Sequence, residues 1–156
     1  MRSTTAFLFS MTILAGTVQP TVADEPLTLM GTISHWLYPE SKMSGAVMSD
    51  AATVDSDGNR TVQSLVCKTT MTTNDSVEKV LAFYKAKLTP NKKADAKTKA
   101  KLKDGRSVLI SDDSQGRPLA LHTILVNTPS TSTTLIVSRV NGEKKTHIVW
   151  KHYVRL

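Results

Sequence analysis

Cysteine is almost missing from this sequence. Cys67 is the one thiol in 156 residues, so no internal disulfide can form and the fold must be held by its hydrophobic core. It lies in "TVQSLVCKTTM", where alternation sets it on one face with Leu65 and Met71. That is the place of a small buried hydrophobe; a catalytic thiol would need a base at hand. Long apolar runs are also lacking. The single candidate, Ala6 to Gly16, is too short to span ~30 Å of hydrocarbon. No glycine-rich phosphate loop and no Gly-x-Ser-x-Gly elbow occurs. Ser76-Val77-Glu78-Lys79 has the Ser-x-x-Lys spacing of acylating enzymes, but their Ser-Asp-Asn and Lys-Thr-Gly partners are absent. Acidic charge is the minority sign: 20 Lys and Arg stand against 13 Asp and Glu, a net +7.

What is present begins with the N-terminus. Arg2, the uncharged run Ala6 to Gly16, Pro20 and the small residues of Thr21-Val22-Ala23 make the pattern of a secretory signal peptide over residues 1–23. Cleavage near Ala23 predicts export to the periplasm or medium. No cysteine follows that site to take a lipid. Residues 24–156 then suit one domain with one core.

Along that domain, Leu27, Leu29 and Gly31 predict a strand or packing segment. Val47-Met48 predicts a partner for the threonine-rich strand Thr61 to Thr73, with the turn "DSDGNR" between them. "DSDGN" spaces its acidic residues like a calcium loop, yet Gly58 is fourth and position twelve is Val66, so a plain turn fits better. Asp75 to Leu88 predicts a helix, opened by Asp75 and Glu78 as a capping box. Its apolar stripe is Val77, Val80, Leu81, Tyr84 and Leu88. Strands follow in "RSVLISDD", "PLALHTILVN", "TLIVSRV" and "EKKTHIVWKHYVRL". Asn141-Gly142 predicts a two-residue hairpin loop pairing Val140 with Glu143, Val137 with Thr146 and Leu135 with Ile148. Leu135, Val137, Ile148, Trp150 and Val154 would then share the face that the helix covers. The fold class is α+β: an antiparallel sheet of about five strands with one main amphipathic helix on one face, in two layers.

The pieces Tyr38-Pro39-Glu40-Ser41 and Asp75-Ser76-x-Glu78-Lys79-Val80-x-x-Phe83-Tyr84 resemble those of a type of small exported bacterial protein. Such proteins pair a Tyr-Pro-x-(Ala/Ser) stretch with an Asp-Ser-x-Glu-Lys-Val-x-x-Phe-Tyr helix. The resemblance spans roughly residues 36–126. It implies the α+β fold and export, and it implies no activity. The lysine-rich stretch after the helix is a departure, since such proteins often run through Gly-Trp there.

Four histidines, His35, His122, His147 and His152, are the remaining chemistry. His122 and His152 both alternate with apolar residues, and two imidazoles on one layer could hold zinc or copper. A zinc site wants three or four ligands and no carboxylate or cysteine is suitably spaced, so neither a metal nor a cofactor is called for. A small metal-dependent hydrolase around this pair is therefore the weakest reading. A small-ligand module is stronger, with a pocket between helix and sheet at Tyr84, Trp150 and His152.

The basicity is local. Residues 85–106 carry eight lysines and one arginine against two aspartates, while the rest of 24–156 holds ten basic and eleven acidic residues. The connection 89–106 thus presents Lys92, Lys93, Lys97, Lys99, Lys101, Lys103 and Arg106 with little apolar surface. One account is a solvated link. The other is contact with an anionic surface or an envelope protein. Nucleic acid is disfavoured by export and by the lack of aromatics in the tract for base stacking. These features lean away from an enzyme and toward an exported, non-enzymatic binding domain. In a bacterium with working export, the chain should accumulate outside the cytoplasm with Asp24 first, read by intact mass; persistence of the full 156-residue mass would refute the signal.

Overall fold

The computed structural model describes residues 27–88 and 105–156. In chain order these form α1 (Leu29–Ser34), β1 (Lys42–Asp50), β2 (Thr53–Val54), β3 (Arg60–Val62), β4 (Ser64–Thr73), α2 (Val77–Leu88), β5 (Ser107–Asp112), β6 (Leu119–Asn127), β7 (Thr131–Val140) and β8 (Thr146–Arg155). Six strands make one antiparallel sheet in the order β1-β4-β8-β7-β6-β5, and β2-β3 forms a small second sheet. The last strand therefore lies in the middle. It pairs with β4 through ten residue pairs, from Ser64 opposite Arg155 to Thr73 opposite Thr146.

The period-two pattern divides the sheet into two unlike faces. Cys67 and Met71 of β4, Ile148 and Trp150 of β8, Leu135 and Val137 of β7, and Ile124 and Val126 of β6 all point to one side and are buried. The stripe Val77, Val80, Leu81, Tyr84 and Leu88 of α2 packs on that side as part of the same core. Each such side chain contributes about 1.5–3 kcal/mol over remaining exposed. Burial pushes the Cys67 thiol up, away from reactivity.

The start of α2, at Val77, lies two residues later than the sequence predicts, and the cap differs. The Ser76 hydroxyl accepts from the Lys79 amide at 3.3 Å, so Ser76 is the N-cap. Asp75 is thereby free for another task. Its carboxylate accepts from the Tyr38 hydroxyl at 2.7 Å and pairs with the Lys79 ammonium at 2.8 Å. The bond from Lys79, then that from Tyr38, hold the Asp75 carboxyl below its usual range. Burial, then the bond to Asp75, push the Tyr38 hydroxyl up to about 12. Tyr38 also meets Phe83 edge-on, with centroids 5.2 Å apart. In this way the Tyr-Pro segment is tied to the helix across a sequence gap of 37 residues.

Residues 29–34, expected to be a strand or packing segment, are a helix. The Thr28 side chain accepts from the Gly31 amide at 3.1 Å and caps it. A Cβ at Gly31 would lie 2.8 Å from that Thr28 oxygen, so glycine is what lets the cap close. The helix buries Ile33, and Tyr84 of α2 donates its hydroxyl to the Trp36 carbonyl at 2.8 Å just beyond. A buried phenol with a partner costs little, whereas a buried carbonyl without one costs 1–3 kcal/mol.

The sheet has six strands, one more than expected, because Val47-Met48 belongs to a full nine-residue edge strand. A bulge between Ser44 and Val47, with Gly45 at φ 64°, inserts an extra residue there. "DSDGNR" is a turn, as read: the Asp55 carboxylate accepts from the amides of Asp57 and Asn59. The last hairpin departs from the prediction. Gly142 has φ 83°, but Asn141 does not enter the positive region, so the two-residue turn that needs both is not formed. The Glu143 amide donates to the Val140 carbonyl, and pairing resumes with Ser138 opposite His147. Val137 therefore faces Ile148 and Leu135 faces Trp150. The slip is two residues, which keeps every side chain on its expected face.

Tyr84→Phe should leave the packing intact and strand the Trp36 carbonyl. We expect a loss of about 1–2 kcal/mol in urea unfolding, with the same slope as the parent; no change in midpoint would mean that the bond is dispensable.

Candidate functional site

Two surfaces compete for the role. The first is where Tyr84, Trp150 and His152 were expected to line a pocket between helix and sheet. Tyr84 and Trp150 are both fully buried and belong to the core wall. His152 is the member that reaches an opening. Its ring stacks on Trp150 with centroids 5.6 Å apart and planes 7° apart, and Trp36 lies 6.3 Å away on a tilt. His152 Nδ1 is 2.6 Å from the Thr133 hydroxyl.

The opening itself lies beside α1 and not beneath α2. Leu27, Thr28, Gly31, Thr32, His35, Trp36 and His152 line a cleft of about 350 Å³. His35 Nδ1 is 2.8 Å from the Gly31 carbonyl, so that nitrogen is a donor. Burial lowers the His152 pKa below its ordinary value, which keeps the ring neutral near pH 7. Trp150 Nε1 is buried and finds no hydrogen-bond partner among the described residues.

His122 does not join His152. It faces Val137 on β6, while His152 faces Thr133 on β8. Four residues along and two strands across separate them by about 16 Å. Nδ1 of His122 instead lies 3.6 Å from Asp112, and His147 Nε2 lies 2.7 Å from Glu143. Among the described residues, no three His, Cys, Asp or Glu side chains are grouped to hold a metal.

The second surface is the other face of the sheet, which no described helix covers. It exposes Val47, Leu109 and Val149. At its centre Lys68 of β4 stands directly opposite Lys151 of β8, and Lys151 stands opposite Thr134 of β7. One row along, Val66, Tyr153 and Ser132 repeat the alignment. With Ala51 these residues line a concavity of about 310 Å³ that contains no acidic side chain. Neither lysine makes an ion pair among the described residues. Two like charges directly opposite across an antiparallel pair repel and cost stability.

The residues proposed from sequence for anionic contact divide. Lys92, Lys93, Lys97, Lys99, Lys101 and Lys103 lie outside the described residues, as does the predicted signal peptide. Arg106 lies within them, next to the start of β5. The Lys68–Lys151 pair was not found from sequence, since it depends on β4 meeting β8 across some eighty residues. The only local trace is that each lysine interrupts a strand on its polar phase, Lys68 between Val66 and Thr70 and Lys151 between Val149 and Tyr153. Likewise His35 and Trp36 gave no local signal that they would meet His152.

With this geometry in hand, comparison with protein-family models, curated proteins and solved structures gives no match to the chain.

A histidine held neutral by burial makes a directional prediction. Its folded pKa lies below the unfolded value of 6.5, so the unfolded chain takes up the proton first as pH falls. The stability it confers is complete above about pH 6.5 and is lost as pH drops through the lower folded value. The unfolding midpoint should therefore fall between about pH 7 and pH 5 by more in the parent than in His152→Gln; parallel profiles would show that His152 titrates normally.

Proposed function

We propose that the chain is an exported, non-enzymatic binding domain that engages an anionic partner at the cell envelope. The observation that carries this reading is the Lys68–Lys151 pair, two charges held face to face on the side of the sheet away from α2, with no ion-pair partner among the described residues. The lysine-rich connection 89–106 adds charge of the same sign in sequence. Export is supported by the signal-like residues 1–23, and the resemblance to small exported bacterial proteins agrees with that compartment. No described helix is long and apolar enough to cross a membrane, so contact with an envelope would be made from its surface.

The alternative is a small-ligand module. The cleft at His35, Trp36 and His152 favours it, being open, partly apolar and lined by His152, whose ring stacks on the buried Trp150. This relocates the pocket from α2 to α1. The metal-dependent hydrolase has the least support, because its histidines stand apart and, among the described residues, neither belongs to a group of three possible ligands.

Cosedimentation with phosphatidylglycerol vesicles and with phosphatidylcholine vesicles tests the reading. Binding should occur on the anionic vesicles alone and should fall by about tenfold or more between low and high salt, as screening shortens the reach of exposed charge to roughly 3–10 Å. Equal binding to both vesicle types, or binding indifferent to salt, would overturn it. The Lys97, Lys99, Lys101 and Lys103→Gln variant then apportions the effect between the connection and the sheet.

A further inference from the structure

The uncovered face offers more than diffuse charge. We propose that the concavity between Lys68 and Lys151 is a built subsite for a single phosphate group. This rests on the anionic-partner reading and gives it a chemical class.

The first argument is register. Lys68, Lys151 and Thr134 lie in one row across β4, β8 and β7. Adjacent strands are about 4.8 Å apart, so this row spans about 10 Å with Lys151 in the middle and Lys68 and Thr134 at its ends, and the long lysine side chains have the reach to meet at one group. The second is the hydroxyl inventory. The Ser132 hydroxyl donates to the Asn127 side-chain oxygen Oδ1 at 2.7 Å, so its proton is committed. The hydroxyls of Thr134 and Tyr153 have no partner among the described residues and both line the concavity. Two ammonium groups and two hydroxyl protons thus stand around one small space. All four are donors, and no carboxylate competes with them.

The third argument is size and charge. A concavity of about 310 Å³ is at the low end for ligand sites, which run roughly 300–1,000 Å³. It suits a head group and not an extended molecule. Two fixed positive charges match a phosphate, whether the singly charged diester or the more highly charged monoester or free anion, and binding one turns the Lys68–Lys151 repulsion into two attractions. A tetrahedral oxyanion presents oxygens in several directions, as donors from three strands and two rows require. A carboxylate would leave part of that set unused. The same chemistry serves free phosphate, a phosphorylated polymer or a lipid head group.

The test is isothermal titration of the full-length protein with inorganic phosphate, in chloride buffer of constant ionic strength. Saturable one-to-one binding is expected, and Lys68→Gln with Lys151→Gln should weaken it by about tenfold or more, as loss of charge-assisted hydrogen bonds would. With phosphate absent, that variant should unfold at a higher temperature than the parent, because the repulsion is gone; this also establishes that it folds. Thr134→Val with Tyr153→Phe keeps both lysines and should weaken phosphate binding too. Unchanged affinity there would overturn the built site in favour of diffuse charge. Absence of phosphate binding by the parent would overturn it as well, and vesicle binding in that case would leave the broader anionic reading standing. Competition by glycerol phosphate and by phosphatidylglycerol vesicles assigns the site to a lipid head group; competition by neither assigns it to the free anion, and both results uphold it.

Discussion

Everything in this molecule depends on β8 lying between β4 and β7. The ladder to β4 joins the two halves of the chain, before and after α2, and the ladder to β7 closes the meander. Trp150 and Ile148 enter the core from this strand, opposite Leu135 and Val137 on one neighbour and Thr69 and Met71 on the other. Remove that insertion and the sheet falls into a β1–β4 pair and a β5–β6–β7 unit, neither of which has the width to seat α2. The helix packs where it does because β8 supplies the floor.

The same insertion makes the two faces chemically opposite. On one, the even residues of β8 meet apolar partners and are closed off by α2 and the Tyr38–Trp36 segment. On the other, the odd residues bring Lys151 against Lys68 and Tyr153 against Val66. A one-residue change of register would have exchanged these sets and ruined both. The core thus enforces the charge pair: the lysines oppose each other because Trp150 and His152 must face inward. Repulsion between them is small beside the burial that fixes the register.

How much of this could be read from the residues follows from the range of the interaction. Val77, Val80, Leu81, Tyr84 and Leu88 announced the helix because their period is local, and all five are buried. The faces of β7 and β8 were legible for the same reason, even though the turn at Asn141-Gly142 was misjudged by two residues. The cap was nearly legible: a hydroxyl at Ser76 outcompeted the carboxylate at Asp75, which had a phenol from a distant segment to bind. The short helix α1 was missed because six residues are too few to show a period. Tyr84 and Trp150 were rightly noticed as large aromatics, but only the tertiary fold shows that they lie inside the wall and that His152 is the one at the surface. The Lys68–Lys151 concavity had no local signature, being made by pairing across most of the domain.

Because β8 follows in the chain both strands it joins, the sheet cannot close until β8 has been made. A nascent or partly threaded chain lacks the floor on which α2 rests and holds only local structure, since the pairing that links its halves has the longest sequence separation in the sheet. A chain of this topology joins its two halves in one long-range step, when β8 pairs with β4.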